Sequence, residues 1–196
     1  MRESAVMQNR SPLLVAAAFG FSILVPLLGY FYLGWLYALI FLVGYLGGFI
    51  LWLATAQEAS WASVRVPYWL TLAAFLLLHK LEENRTAFFE AVSARITGTP
   101  VPEMSVGLAL ALLIVPVGAW LAIPLLFRRD HEFGRFLAWT FFASMGLTEM
   151  AHFIMPLLAN EPYGYLPGMA SVFVLAPLAW WGMWRLNLHR PPGAEA

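Results

Sequence analysis

The sequence predicts an all-α, polytopic membrane bundle of about six transmembrane helices, with both termini on the cytoplasmic side. Three observations predict it. The 196 residues are 61% hydrophobic and 11% charged, with a mean hydropathy of +0.73; an ordinary soluble domain carries roughly 25% charged residues. Apolar runs of about 20 residues recur, each long enough to cross a hydrocarbon core of about 30 Å. Between them lie short segments carrying charges or Gly/Pro breakers.

The first run follows "MRESAVMQNR" and spans 13–30. Basic residues before an apolar stretch also mark a signal peptide, but this stretch leads almost directly into a second one, so a retained helix is expected. The second span, 34–56, is separated from the first only by "YFYLG", a tight hairpin whose aromatic residues suit a membrane interface. Four more spans are expected at 66–86, 106–127, 134–158 and 168–187, joined by "QEASWASVR", "AFFEAVSARITGTPVPE", "RRDHEFGR" and "NEPYGYLPG". The chain reads as a single membrane domain over 1–196: an N-terminal hairpin, 12–56, and a four-helix core, 66–187. Sliding 107–129 onto 168–190 matches Gly107 with Gly168, Pro116 with Pro177 and Trp120 with Trp181. The match suggests two parallel hairpin repeats, 66–127 and 134–187.

Orientation follows from Lys and Arg. With the N-terminus inside, one side collects Arg2, Arg10, Arg65, Arg128, Arg129, Arg135, Arg185 and Arg190, and the other only Lys80, Arg85 and Arg95. The expected topology is therefore N-in and C-in, with "NEPYGYLPG" facing outward. Net charge is zero, so neither a polyanion nor nucleic acid is suggested as a partner. The absence of cysteine excludes disulfides, thiolate metal sites, iron–sulfur clusters and a cysteine nucleophile. Any metal site must use nitrogen and oxygen donors.

Two polar intrusions interrupt the apolar pattern. In "HKLEENR", residues 79–85, His79 shares a helix face with Glu82 and Glu83; in "SMGLTEMAHFIMP", Glu149 shares one with His152. The two helices run in the same direction. His79 follows Arg65 by 14 residues, and Glu149 follows Arg135 by 14, so both lie roughly 21 Å in at ~1.5 Å per residue. His152 falls level with Glu82 and Glu83. Each level thus pairs a histidine on one helix with carboxylate on the other. A charged residue at mid-membrane costs roughly 2.5–3.5 kcal/mol, so several carboxylates at one depth require pairing, protonation or a metal. Pro156 cannot bond the carbonyl of residue 152, so a bend is expected at His152.

The donor set suits iron, manganese or zinc, as one ion or two. Glu-x-x-His on one helix is half of the ligand pattern of carboxylate-bridged two-metal bundles; His-x-x-Glu-Glu on the other departs from it. Two alternatives stand beside a metal or catalytic site. The groups can be hydrogen-bonded pairs joining helices, although such bonds contribute only about 0.6 kcal/mol each in membranes. His79 and His152 can also be haem ligands, which the adjacent carboxylates disfavour. His131 and His189 read as solvated, "AWWGMWRL" as an interfacial belt, and Met145, Met150 and Met155 as packing. "YGYLPG" is placed to cap the outer mouth of a pocket, with Asn84 and Glu161 nearby as supporting groups.

"HKLEE" in an apolar helix, the later histidine of "TEMAHF" and the Pro-Gly of "YLPGMAS" together resemble the HXXEE family of small, mostly bacterial integral membrane proteins. The resemblance covers about residues 75–187. It implies that His79, Glu82, Glu83, His152, Pro167 and Gly168 occupy motif positions, and it implies the bacterial inner membrane. It implies no particular activity.

The expected function is a membrane-embedded metalloenzyme, an oxidoreductase or hydrolase, with the metal held by His79, Glu82 or Glu83, Glu149 and His152. Glu83 and Glu149 are the candidate catalytic carboxylates, and Asn84, Pro167 and Gly168 the candidate supporting groups or pocket cap. Beyond the bilayer lipid, a hydrophobic small molecule is the expected partner. Two other classes stay open: a proton-coupled or divalent-cation transporter, and a non-catalytic accessory subunit of a membrane complex.

Overall fold

An apolar segment surrounded by hydrocarbon must close its backbone hydrogen bonds within itself. Every regular element among the described residues is accordingly a helix. The computed structural model describes residues 10–55, 59–103 and 105–188; Arg2, His189 and Arg190 lie outside them. Five of the helices are long and apolar enough to cross a membrane: α1 (Pro12–Leu33), α2 (Trp35–Ala54), α3 (Trp61–Arg85), α6 (Glu132–Leu158) and α7 (Met169–Asn187). Between α3 and α6 lie the short helix α4 (Phe88–Val92) and the apolar helix α5 (Val115–Arg128).

The expected sixth span, 106–127, is helical but divided. A helical turn, Val106–Ala109, passes through a π turn, Leu110–Ile114, before α5 begins. Inside α5 the ladder loosens at Ala122, whose N–H is shared between the carbonyls of Gly118 at 3.3 Å and Ala119 at 3.2 Å. Pro116 and Pro124 each remove a backbone donor from this stretch, which is why it does not form one uninterrupted helix. The α1–α2 turn is also tighter than expected. It is Gly34 alone, at φ +94°, a backbone conformation that glycine enters without steric cost.

Helix α2 packs closely on α6. At Gly44 and Gly48 any added Cβ would meet backbone or hydroxyl atoms of Ser144, Thr148 and Thr140. This is small-xxx-small contact, which replaces the missing hydrophobic driving force between membrane helices with close packing. Helices α3 and α6 run parallel and in step. Tyr68 packs against Phe141 with ring centroids 5.2 Å apart, and His79 meets His152 at 4.9 Å, 11 residues further along both helices.

At one end of the bundle the arginines close the helix termini. Arg10 donates to the carbonyls of Trp52, Leu53 and Thr55 and pairs with Glu132 at 3.3 Å. Arg135 donates to Asp130 and to the Ala59 carbonyl. Arg185 donates to the carbonyl of Ser63 at 2.9 Å, the group that Pro67 cannot serve within α3. His131 accepts from the Phe133 N–H at the start of α6, and is exposed there.

Candidate metal centre

The other end of α3 and α6 departs from α geometry twice. Each helix carries a π turn, Ala74–His79 in α3 and Ser144–Thr148 in α6, just at the polar residues. A π turn inserts one residue and leaves backbone groups seeking partners, and such turns recur at functional sites. In α6 a partner is visible: Trp180 of α7 donates its indole N–H to the Gly146 carbonyl at 2.7 Å. Because both helices carry one insertion, they remain level beyond it. After Glu149 the ladder tightens, with the N–H of His152 on the Glu149 carbonyl at 3.2 Å and that of Phe153 on Met150 at 3.0 Å. Met155–Leu158 then forms a 3-10 turn. The departure from α geometry expected at His152 therefore begins ahead of it, at the Ser144–Thr148 π turn, and runs on through Glu149 to the 3-10 turn.

Four side chains converge. His79 Nε2 lies 3.1 Å from Glu149 Oε2 and 3.3 Å from Glu83 Oε1; His152 Nε2 lies 3.3 Å and 3.5 Å from the same two oxygens. All four ligand atoms fall within 4.8 Å of one another, so the cluster could hold a metal ion. Adjacent nitrogen and oxygen ligands on one tetrahedral ion, at bond lengths of about 2.0–2.2 Å, are separated by about 3.3–3.6 Å. The four nitrogen–oxygen distances, 3.1–3.5 Å, are close to that size.

The outer ring nitrogens decide how these histidines face the centre. His152 Nδ1 is 2.6 Å from the Pro167 carbonyl, which can only accept, so Nδ1 carries a proton. His79 Nδ1 is 2.9 Å from Ser171 Oγ, and that hydroxyl spends its proton on the Gly168 carbonyl at 3.0 Å. Ser171 therefore accepts from His79. Both imidazoles are held by the Nδ1–H arrangement that orients metal-bound histidines, with Nε2 turned inward. His79 is fully buried, and its Nε2 has no hydrogen-bond partner despite the two nearby oxygens. Lone pairs facing two carboxylates repel unless a cation, metal or proton, sits among them. The donor chemistry and this unpartnered nitrogen fit a metal ion.

Glu82 departs from expectation. It is not part of the cluster but caps α7: its two oxygens accept from the backbone N–H groups of Ala170 at 3.1 Å and Ser171 at 2.7 Å, and from the Tyr165 hydroxyl. Burial and the Glu82 carboxylate hold the Tyr165 phenol above its ordinary pKa, so it stays a donor. A carboxylate at a helix N-terminus meets free N–H groups and the positive end of the dipole, which is why Glu82 turns away from the histidines. Its neighbour Glu83 gives Oε1 to the histidines and Oε2 to Lys80, whose ammonium also sits over the Phe75 ring at 5.1 Å.

The supporting residues come from the segment between α6 and α7. Pro167 and Gly168 act through their carbonyls, as described. Gly168 has φ +99°, and any Cβ there would collide with the His152 ring. Asn84 is exposed and lines the neighbouring cavity. Glu161 pairs with Arg95 at 3.4 Å, and Arg95 also donates to the Tyr165 carbonyl at 2.7 Å, tying this segment to the α4 region. Phe88 of α4 packs on His152, with ring centroids 5.0 Å apart.

Three contributors were not singled out from the sequence: Ser171, Tyr165 and Phe88. Phe88 lay in what reads as a connection. Its signal is the apolar "FFEAV", one short turn able to fold back on the site.

A cavity of about 420 Å³ adjoins the cluster. Glu83, Glu149 and His152 form part of its wall, while His79 lies behind them. The rest of the lining is mostly apolar and comes from α1, α2, α3, α4, the 111–120 stretch and α6. The arrangement joins a polar, cation-competent wall to a hydrocarbon-lined chamber. No family model, curated protein or solved structure matches this chain.

Proposed function

We propose that this protein is a membrane-embedded metalloenzyme in which His79, Glu83, Glu149 and His152 hold a single iron, manganese or zinc ion beside a chamber for a hydrophobic substrate. The observation that carries the reading is the pair of inward-turned Nε2 atoms, each fixed by an acceptor on its Nδ1–H and each facing two carboxylate oxygens. A single ion is favoured because Lys80 occupies the second oxygen of Glu83, leaving one oxygen for the centre. Three ligands on the chamber wall would leave the ion open toward a bound molecule. Iron would supply redox chemistry there, and zinc Lewis acidity. Glu149 and Glu83 would orient the substrate and hold or accept a proton, and the apolar chamber would exclude water.

The HXXEE resemblance and a location in a bacterial inner membrane belong to the same proposal. A transporter is the weaker reading. Among the described residues, the ionisable groups lining the cavity are, tyrosines apart, Lys80, Glu83, Glu90, Glu149 and His152, and no histidine, acid or base lines it further toward the arginine-rich end. A relay would need such groups along a path.

Metal analysis of the protein purified in detergent tests the reading. About one equivalent is expected in the wild type, and less than a tenth of that in His79→Ala and Glu149→Ala. Wild-type protein without metal above those variants, after exposure to each of the three ions, would overturn it.

A further inference from the structure

Away from the histidines, the same cavity holds a second set of polar atoms. Tyr45 Oη, Trp120 Nε1 and Ser144 Oγ have no hydrogen-bond partner in the protein. Their residues are 3%, 4% and 3% exposed, and all three line the cavity. A buried polar group left unpaired costs about 1–3 kcal/mol, and native interiors keep few of them. Three of them belong to residues lining one chamber, where a ligand that accepts hydrogen bonds would pair them.

Their placement relative to the cluster is set by α6. The Glu149 N–H bonds the Ser144 carbonyl across the π turn, so Ser144 lies one wide turn away, about 7 Å along the helix at ~1.5 Å per residue. Tyr45 stacks on Trp120 with ring centroids 5.8 Å apart and planes 13° from parallel, which fixes both side chains. Apolar lining residues, among them Val25, Phe75 and Met145, surround the space.

The chemistry of the three atoms selects the ligand. An indole N–H only donates, and the two hydroxyls can donate. None carries charge, and the carboxylates of Glu83 and Glu149 in the same chamber disfavour an anion. The complementary group is a neutral acceptor with two lone pairs. We propose that Tyr45, Trp120 and Ser144 bind the carbonyl oxygen of a neutral, largely apolar molecule. Its other end reaches the Glu83–Glu149 wall, and only that last clause rests on the proposed function.

Isotope-edited infrared spectroscopy on the full chain in nanodiscs tests this, with 2-dodecanone labelled with ¹³C at its carbonyl as the probe. Wild type is expected to show a saturable carbonyl band, one per protein, shifted to lower frequency by hydrogen bonding. Tyr45→Phe with Trp120→Phe should move the band most of the way to the position it has in hydrocarbon and weaken binding at least tenfold. Ser144→Ala, the smallest change, should weaken it about threefold and shift the band partway; it carries the test if the double variant does not fold. The metal-free His79→Ala protein should keep the wild-type band, so failure of the metal reading and failure of this one are separable. A wild type without a saturable shifted band, or variants with an unchanged one, would overturn the proposal and leave the three atoms to water.

Discussion

The two ends of the helix bundle treat polar groups in opposite ways. At the arginine-rich end each described contact is closed: Arg10, Arg135 and Arg185 meet terminal carbonyls or carboxylates. These are ordinary solutions to the free carbonyls at helix ends. At the other end the same helices bring two imidazoles and two carboxylates together with their electron-rich atoms pointing at one another. The first arrangement stabilises the fold as it stands. The second is relieved by a metal ion or a proton among its atoms, and acceptors around it hold the histidines in that posture.

That contrast can be broken or sharpened by substitution. The largest effect is expected at the ligands. Glu83→Gln should lower metal affinity by about a thousandfold, or roughly 4 kcal/mol, measured by competition with a calibrated chelator. Gly168→Ala should come next. It combines an unfavourable left-handed backbone with a collision against His152, and about 2–4 kcal/mol of destabilisation is expected from tryptophan-monitored thermal unfolding.

Ser171→Ala removes the acceptor that orients His79. Metal affinity should fall about 10–100-fold, as for other losses of orienting partners, while the unfolding temperature changes little in metal-free protein. Glu82→Gln should do the reverse. It should leave metal affinity within a few-fold but cost about 1–2 kcal/mol of stability, because the α7 cap loses its charge. Equal metal loss in Glu82→Gln and Glu83→Gln would erase the division between the adjacent glutamates. The smallest effect is expected at the arginine end, where Arg185→Ala should cost about 1 kcal/mol through the exposed Ser63 carbonyl and leave metal binding intact.

Much of this architecture was legible in the residues. The apolar runs mark the helices because hydrocarbon leaves the backbone no other partner. Counting from Arg65 and Arg135 places His79 beside Glu149 despite the π turns, since α3 and α6 each contain one insertion ahead of the site. The π turns themselves were not legible. The one in α6 has its Gly146 carbonyl met by the Trp180 indole, a tertiary contact that no local pattern announces. The division of labour between Glu82 and Glu83 was hidden for the same reason. Which of two neighbouring carboxylates faces His152 depends on where the α7 N-terminus sits, and that is set by the 159–168 segment. Ser171 carries no local signal, because its role comes from a hydroxyl that lies between His79 and the Gly168 carbonyl.

X-ray absorption at the metal edge of the loaded, detergent-purified protein tests the central claim most directly. The account predicts one ion with a first shell of nitrogen and oxygen only, and the multiple-scattering signature of two imidazoles. That signature should drop to one imidazole in His152→Ala protein that retains any metal. A spectrum without imidazole scattering, or one identical in wild type and His152→Ala, would contradict it.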